Sequence, residues 1–388
     1  MPTTNFRNLL YRAALPFSPS PRGQMTHEAY GQPIDMKAYE RILRQHHVLG
    51  ASLLLTAGDE FAAVHTSISK PAHHAGRDTM YRVASVTKMA TALVTLKLAE
   101  EGAFTLDSPI APLLPGGADE PALRDITIRQ LLSHTSGLRD VPAYEAALRE
   151  GASFHQVLHA EGVRTNNNAM CYCNFGFGLL GCVMESVTGQ SLEKVFHQYL
   201  FQPVALEATL DASTLEESRI MPISRVLPYR KGNDITITRL GRQSIAAPDP
   251  ERHFGHTAGA MYTNCASLSN LLMIIACDGA YKGMQLFRPE TIRQMKTQHG
   301  FTGPVSSPDR RYGLGLVILQ RPDISSRTLY GHQGFAYGCV DCAFYEEGTG
   351  RQVIFLNGGC SEAREGRLGL SNKALLQWAL QKEIPSWT

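Results

Sequence analysis

The chain has 388 residues, of which 43% are hydrophobic and 19% charged, and its formal net charge is +2. This composition is typical of a globular protein with a sizeable core, and the length favours one large domain or two interleaved ones. The near-neutral charge and the absence of a basic run argue against nucleic acid or an anionic membrane as a partner.

Residues 1–35 are predicted to form an N-terminal arm. The apolar run from Leu9 to Phe17 is interrupted by Arg12 and Pro16, so it is a poor secretory signal, and no window is apolar for long enough to span a bilayer. The segment Pro16–Gly31 is rich in proline, serine and glycine, which favours an arm outside the core. The expected location is therefore the cytoplasm.

Residues 36–103 are predicted to contain a helix, two strands and a second helix. Asp35 can cap a helix through MKAYERILRQHH, and VLGASLLLTAGDEFAAVHTS divides into two strands around a Gly-Asp turn. TALVTLKLAEEG is predicted to be a helix that ends at Gly102. From about 104 to 255 the pattern is mostly helical and rich in loops, and SLEKVFHQYLFQPV is a clear amphipathic helix.

The C-terminal part is predicted to supply most of a sheet. CASLSNLLMIIACDG, RPETIRQMKTQ and ALLQWALQKEIP are helical patterns, whereas YGLGLVILQ, GCVDCAFYEE and RQVIFLNGG are strand patterns without helices between them, which indicates antiparallel pairing. We therefore predict an α/β (α+β) catalytic domain over 36–388. Its antiparallel sheet comes from about 36–103 and 256–388, flanked by N- and C-terminal helices, and 104–255 is a mainly helical insertion.

Three Ser-x-x-Lys tetrads occur, beginning at Ser67, Ser85 and Ser191. The first lies in a polar stretch before Pro71 and is predicted to be a loop with a solvated lysine. The third opens an amphipathic helix, so its serine is predicted to be an N-cap and its lysine a surface charge. The second follows the β-type run MYRVA and precedes MATALVTL, which is apolar on almost every face and is therefore predicted to be buried.

Lys88 of the second tetrad is a candidate general base. Burial of a lysine at the positive end of a helix lowers its pKa, and no acid lies within a helical turn to offset this. Residues three apart share a helical face, so Lys88 can reach the hydroxyl of Ser85. The alternative is a serine N-cap beside a lysine whose ammonium reaches solvent.

Two later motifs can supply the other groups that acyl transfer needs. Tyr172-Cys-Asn174 contains a phenol that can carry a proton if a cationic neighbour lowers its pKa. His332-Gln-Gly334 opens an apolar strand, and its glycine allows the backbone to approach a ligand closely.

In these three motifs and their order, the chain resembles the serine β-lactamase and penicillin-binding-protein superfamily, in its class C branch. That branch includes family VIII carboxylesterases, D-aminopeptidases and DD-peptidases. The resemblance extends over about 36–384 and includes LLSHTSGL at 131–138, Gly259 in HTAGAMYT, and YGLG at 312–315. It implies a β-lactamase/DD-peptidase-like fold and a covalent acyl-enzyme, without a metal or cofactor.

The resemblance also implies the catalytic roles. Ser85 would be the acylated nucleophile and Lys88 the base that deprotonates it. Tyr172 would pass the proton to the leaving group and later activate the attacking water.

The remaining motif residues would bind substrate. Asn174 would hydrogen-bond substrate and the lysine region, and His332 and Gln333 would line the strand edge where substrate lies. Gly334 belongs to the same edge, and the backbone N–H of Phe335 would complete the oxyanion hole together with that of the nucleophile.

The chain departs from most β-lactamases, which have Lys-Thr-Gly where it has His-Gln-Gly. Histidine at that place is common in the esterase and peptidase branches, while the glutamine bears on recognition of the β-lactam carboxylate. We predict a small ester or amide substrate, as for a carboxylesterase or D-aminopeptidase. The alternatives are a class C-type β-lactamase or DD-peptidase, and further an acyltransferase or a non-catalytic penicillin-binding-like protein.

Three other features have less specific interpretations. The G-x-G-x-x-G match at 176–181 lacks a preceding strand, so its glycines are interpreted as allowing a helix to pack closely behind Tyr172. His134 could be a base, but the serine, lysine and tyrosine already supply the proton transfers, so a packed, loop-positioning histidine is favoured. The eight cysteines are interpreted as free thiols, because the sequence shows no convincing export signal. A zinc site is disfavoured, since Cys339 and Cys342 would face opposite sides of a strand.

Overall fold

The computed structural model describes residues 3–17, 23–70, 72–165, 169–227, 229–231, 245–301 and 311–381. Within these ranges the α-helices are α1 (Thr3–Ala14), α2 (Met36–Gln45), α3 (Thr87–Glu100), α4 (Ile128–Leu132), α5 (Pro142–Glu150), α6 (Phe154–Leu158), α7 (Asn174–Thr188), α8 (Leu192–Phe196), α9 (His256–Gly259), α10 (Cys265–Ala276), α11 (Pro289–Lys296) and α12 (Leu370–Leu380). Across the described chain, we find no helix with the length and apolar character needed to cross a bilayer.

The strands, in chain order, are β1 (Met25–Gly31), β2 (Ala51–Ala57), β3 (Glu60–Ile68), β4 (Tyr81–Arg82), β5 (Ala208–Thr209), β6 (Ser224–Val226), β7 (Tyr229–Lys231), β8 (Tyr262–Thr263), β9 (Ala280–Tyr281), β10 (Met284–Gln285), β11 (Gly300–Phe301), β12 (Arg311–Tyr312), β13 (Val317–Leu319), β14 (Leu329–Ala336), β15 (Cys339–Glu346), β16 (Gln352–Asn357), β17 (Arg364–Glu365) and β18 (Leu368–Gly369). The large sheet has the order β1-β3-β2-β16-β15-β14-β13-β12-β11. Every neighbouring pair in it is antiparallel, as the succession of strands predicted.

The sheet separates two apolar layers. On one face, α2 and α12 cover the sheet through side chains such as Tyr39 and Leu375. On the other face, α3, α7 and α10 build a larger core together with the helices of the middle of the chain. All residues of the central strands β15 and β16 are buried, which explains why their sequences are almost continuously apolar. The predicted fold class is confirmed.

The predicted arm contains an edge strand of the sheet. β1 pairs along its whole length with β3, from Met25 opposite Ile68 to Gly31 opposite Ala62. Placing all of Pro16–Gly31 outside the core was therefore wrong. None of the residues of β1 is fully buried, so the segment can be polar throughout. Its sequence therefore lacks the alternation of apolar and polar residues that would have indicated a strand. Residues 18–22 of the arm lie outside the described residues.

In the other two Ser-x-x-Lys tetrads the lysine is exposed, unlike Lys88. Ser67 belongs to β3 and not to the predicted loop, because the strand pattern of EFAAVHTSI continues to Ile68, while Lys70 is exposed as predicted. Ser191 is the N-cap residue of α8, as predicted, and Lys194 is exposed. The division into a sheet part and a 104–255 insertion stays a prediction, and 232–244 of that insertion lie outside the described residues.

The glycines at 176–181 allow a close helix contact, as the sequence indicated. They lie in α7, which packs against α9 and the residues before it. A Cβ atom on Gly178 would lie 1.7 Å from the carbonyl oxygen of Phe254, which only the absence of a side chain permits.

Candidate active site

Ser85 lies in a short 3₁₀ turn, Ala84–Val86, between β4 and α3. The preceding residue, Ala84, has a left-handed backbone with φ of 45°, so the chain turns sharply just before Ser85. Most side chains of α3 are buried, because the MATALVTL segment has no polar face. A lysine in its first turn, Lys88, therefore has a fully buried side chain.

Lys88 is held by three oxygen atoms. Its Nζ lies 2.7 Å from the carbonyl oxygen of Ala258, 2.8 Å from Oδ1 of Asn174 and 3.3 Å from Oγ of Ser85. Burial lowers the pKa of Lys88 to about 7, against an opposing effect of the Asp140 carboxylate. In the neutral amine, the first two oxygens accept its two N–H groups, so the lone pair is directed at the hydroxyl of Ser85.

Tyr172 lies beside the same pair. Its ring centroid is 4.9 Å from Nζ of Lys88. Burial raises the pKa of Tyr172 above its usual value, although the neighbouring Ser85 side chain acts in the other direction. A cationic neighbour, Arg367, does act to lower this pKa, but burial outweighs it, so the phenol holds its proton in the free protein.

Asp140 fixes the start of α7 and was missed by the sequence analysis. Its carboxylate accepts hydrogen bonds from Nδ2 of Asn174 at 2.8 Å and from the backbone N–H groups of Asn174 and Phe175. This places the amide oxygen of Asn174 toward Lys88. The first backbone N–H groups of a buried helix have no partner within the helix and need a hydrogen-bond acceptor from elsewhere. That requirement is the signal that could have revealed Asp140.

His134 positions the Tyr172 segment, as the favoured interpretation predicted. Its Nδ1 accepts a hydrogen bond from the backbone N–H of Cys173 at 3.1 Å, and its carbonyl oxygen accepts one from Cys171. Its ring centroid lies 4.3 Å from that of Tyr172. Burial and the nearby Lys88 hold the pKa of His134 well below its usual value, so the ring packs as a neutral group.

His332 is neutral and doubly hydrogen-bonded. Its Nδ1 donates to the carbonyl oxygen of Gln333 at 2.6 Å, and its Nε2 accepts from the hydroxyl of Tyr312 at 2.9 Å. Burial, with a smaller effect of Lys88, lowers the pKa of His332 to about 3. The strand therefore provides no cation at this position near neutral pH.

Gln333 lines the cavity, while its side-chain amide is hydrogen-bonded to the C-terminal segment 367–372. Its contact with substrate stays a prediction. The Nε2 of Gln333 donates to the carbonyl oxygen of Arg367, and its Oε1 accepts from the backbone N–H of Gly369 and from Nδ2 of Asn372. Neighbouring side chains of a strand face opposite sides, so Gln333 and His332 cannot both point to one face.

The last residues of β14 form a strand edge against the Ser85 turn. β13 pairs with β14 only as far as Gly331, so in the described chain residues 332–336 are paired with β15 alone. A Cβ atom on Gly334 would lie 2.5 Å from the carbonyl oxygen of Val83, so the glycine permits this approach. Phe335 follows directly, where an oxyanion-hole N–H was predicted.

A cavity of about 780 Å³ lies over these groups. Of the predicted site residues it is lined by Ser85, Tyr172, Asn174, His332, Gln333 and Phe335. Lys88 and Gly334 do not line it but lie beside residues that do, Lys88 next to Ser85 and Gly334 next to Ala84. The structure thus brings six of the eight predicted residues to the cavity lining. It adds Tyr312 and several arginines that sequence reasoning did not select.

Comparison with known proteins shows the family to which the chain belongs. A family model described as Beta-lactamase matches residues 36–357, so the chain belongs to the beta-lactamase family. The predicted superfamily is confirmed, while its class C branch stays a prediction.

Among curated relatives, penicillin-binding protein 4 of Amycolatopsis lactamdurans is 28% identical over 183 residues, which cover 44% of this chain and 47% of that protein. A putative D-alanyl-D-alanine carboxypeptidase of Escherichia coli K12 is 26% identical over 286 residues, covering 66% and 64%. The chain therefore spans about half to two thirds of the length of these relatives.

Solved structures share the fold. A D-stereospecific amidohydrolase from Streptomyces sp. superposes with a TM-score of 0.66 at 24% identity, covering 88% of this chain and 97% of that one. D-amino acid amidase from Ochrobactrum anthropi SV3 superposes with a TM-score of 0.69 at 21% identity, covering 88% and 96%.

Proposed function

We propose that the protein is a serine hydrolase that transfers the acyl group of a small ester or amide to Ser85 and then to water. The observation that supports this most directly is the buried Lys88, whose pKa near 7 and fixed N–H groups make it a base directed at Ser85. No other Ser-x-x-Lys tetrad of the chain has this environment.

In the acylation step, neutral Lys88 takes the proton of Ser85 while Oγ attacks the carbonyl carbon. The oxyanion is stabilised by the backbone N–H groups of Ser85 and Phe335. When the tetrahedral intermediate collapses, the bond to the leaving group breaks, and the leaving atom receives the Tyr172 proton. Lys88 returns its proton to the tyrosine, so the site is neutral again.

In the deacylation step, water attacks the Ser85 ester. Its proton passes through Tyr172 to Lys88, and the departing Oγ of Ser85 recovers a proton from the same pair. Because the pKa of Tyr172 is raised, the tyrosine acts as a relay and not as a standing phenolate. The acid product leaves and the starting protonation state is restored.

Carboxylesterase-like or D-aminopeptidase-like activity is the first candidate, and β-lactamase or DD-peptidase activity is the alternative. The names of the amidase neighbours and of the carboxypeptidase relative support acyl transfer from amides. An acyltransferase or a non-catalytic binder would share the fold but differ in acceptor or in turnover. A cytoplasmic location is proposed on the sequence alone.

Mass spectrometry after incubation with 4-nitrophenyl acetate tests the proposal. We expect a single acetyl group on Ser85, and we expect Ser85→Ala to lose both the adduct and nitrophenol release. Ser67→Ala is the matched control, since its serine also precedes a lysine by three residues, and it should behave as the unaltered protein. An adduct on Ser67, Ser191 or a cysteine would overturn the mechanism.

A panel containing an ester, a cephalosporin, a D-amino-acid amide and a D-Ala-D-Ala peptide then separates the candidate activities. Adduct formation without turnover of any of them would favour the non-catalytic binder.

A further inference from the structure

The N-terminal helix α1 rests on a segment near the C-terminus that borders the cavity. The side-chain amide of Asn8 donates to the carbonyl oxygen of Arg364 at 2.8 Å and accepts from the N–H of the same residue at 3.1 Å. The hydroxyl of Tyr11 accepts from the backbone N–H of Glu362 at 3.1 Å. Asn8, Tyr11 and Leu15 are half-buried, and their spacing places them on the inner face of this segment.

The opposite face of the same segment is apolar and exposed. Leu9 is 61% exposed and Leu10 53%, and Phe17, in the short 3₁₀ turn that follows α1, is 89% exposed. Ala13 and Ala14 are exposed as well. Across the described residues five large apolar side chains are exposed, and three of them lie within this short stretch. These five residues, here called the outer apolar face, therefore have the character of an interaction surface.

The N-terminal segment is cationic, although the whole chain is close to neutral. Residues 1–24 contain Arg7, Arg12 and Arg22 and no lysine, aspartate or glutamate, so their side chains carry a charge of +3. The whole chain carries +2, so the side chains of residues 25–388 carry −1. Arg12 is exposed. The overall charge, which argued against an anionic membrane as a partner, therefore conceals a basic segment beside an exposed apolar face.

The complement of this surface is anionic. Acids of the neighbouring C-terminal segment are already paired, since Glu362 lies 3.8 Å from Arg225 and Glu365 lies 2.9 Å from Lys373. A second copy of the chain is a poor match, because a two-fold contact places the same patch on both sides and would bring cations against cations. An anionic lipid surface supplies both phosphate groups for the arginines and an apolar layer for the leucines and phenylalanine.

We infer that the outer apolar face docks on an anionic lipid surface, with α1 lying in the plane of the headgroups. Leu9, Leu10 and Phe17 enter the boundary between headgroups and acyl chains, and Arg12 reaches the lipid phosphates. A helix of 12 residues is marginal in water by itself, so the contacts of Asn8 and Tyr11 stabilise α1 before it meets the membrane. These contacts persist on docking, because they use the inner face.

Co-sedimentation of the full chain with lipid vesicles tests this inference. The protein should bind vesicles of phosphatidylcholine that contain about 30% phosphatidylglycerol, and binding should fall roughly fivefold or more on pure phosphatidylcholine or in about 0.5 M salt. Leu10→Gln should weaken binding to the anionic vesicles roughly fivefold or more, because a large apolar side chain no longer enters the lipid. Met284→Gln is the matched control, since Met284 is 54% exposed outside the N-terminal segment, and it should bind as the unaltered protein.

The contribution of charge is measured with a second pair of variants. Arg12→Gln should weaken binding to the anionic vesicles by about fivefold and leave binding to pure phosphatidylcholine unchanged. Arg327→Gln, which removes an exposed charge elsewhere in the chain, should change neither. All four variants should unfold at the same temperature as the unaltered protein, because each alters an exposed side chain outside the cavity lining.

Three results would overturn the inference. One is failure of the unaltered protein to sediment with the anionic vesicles, and another is equal binding by Leu10→Gln and Met284→Gln. The third is a dimer in analytical ultracentrifugation that Leu10→Gln alone dissociates, since the outer apolar face would then be an interface between two copies. None of these results bears on the proposed hydrolysis, which is tested separately by acetylation of Ser85.

Discussion

The proposed acyl transfer depends on one buried amine, that of Lys88. Among the residues that the structure describes, Lys88 has no acid at hydrogen-bond distance. Its two short contacts are to an amide oxygen and a backbone carbonyl, which are weaker partners for a cation than a carboxylate. Desolvation therefore dominates, and the amine loses its proton near neutral pH. Asp140 hydrogen-bonds Asn174, which in turn contacts Lys88. The negative charge of Asp140 partly offsets the lowering of the Lys88 pKa.

The pH dependence of kcat/KM should follow Lys88. Below about pH 7 the amine is protonated and cannot accept the Ser85 proton, so kcat/KM should rise with pH through a midpoint near 7. Asp140→Asn removes the negative charge that raises the pKa of Lys88, so the midpoint should move to lower pH. Profiles between about pH 5 and 9 measure this. Asp125→Asn, an equal charge change at an exposed aspartate, should not move the midpoint.

Tyr172→Phe should reduce turnover far more than binding. Removing the relay hydroxyl takes away general acid–base catalysis, which contributes roughly 10²- to 10⁴-fold, while the ring still packs on His134. Pre-steady-state acylation and the dissociation constant of a slow substrate separate the two effects. A variant with a nearly normal rate would remove Tyr172 from proton transfer.

Among the elements, α7 and β14 matter most because each approaches the nucleophile region through a glycine. α7 brings Asn174 to Lys88 only because Gly178 allows it to touch the backbone at Phe254. β14 brings its free edge to the Ser85 turn through Gly334. Both contacts involve backbone atoms, which cannot rotate away as a flexible side chain can.

Gly178→Ala should destabilise the protein, and Gly176→Ala in the same helix should not. The first Cβ would lie 1.7 Å from a backbone oxygen, so α7 must shift, at a cost of about 2–3 kcal/mol. The second would lie 3.4 Å from a methyl group of Leu131, and alanine gains up to about 1 kcal/mol in helix propensity. Urea denaturation curves compare the two variants. Equal midpoints would contradict the packing argument.

At the scale of the whole molecule, the degree of burial determines how reactive each of the eight cysteine thiols is. Six of them, Cys173, Cys182, Cys265, Cys339, Cys342 and Cys360, are buried, Cys171 is half-buried and Cys277 is exposed. For the six, burial raises the thiol pKa, which suppresses the reactive thiolate.

Reaction with a disulfide reagent should therefore be stepwise. We expect Cys277 to react rapidly, Cys171 more slowly, and the six buried thiols only when the protein unfolds. Counting thiols released with time, with and without denaturant, measures this. Cys277→Ser should remove the fast phase, and rapid reaction of several thiols in the folded protein would contradict the described core.

The sequence predicted those features that depend on the spacing and order of residues close together in the chain. Ser85 and Lys88 are three residues apart, in the turn that leads into α3 and in the first turn of that helix. The succession of strands indicated antiparallel pairing. The sequence did not predict Asp140, whose bond to Asn174 joins residues 34 apart, or the hairpin that carries Arg367. Those positions are set by tertiary packing, which no short pattern encodes. The alternation of side chains along a strand already implies that Gln333 and His332 point to opposite faces, although the resemblance placed both at one edge.

The N-terminal segment has a practical consequence for producing the protein. The family match begins at residue 36, so a shortened chain would naturally be started there. That chain would lack β1 and would leave the backbone groups of β3 unpaired, which invites edge-to-edge aggregation. It would also lack Asn8, which holds the backbone of Arg364. Low solubility of such a truncated protein would therefore reflect the missing edge strand.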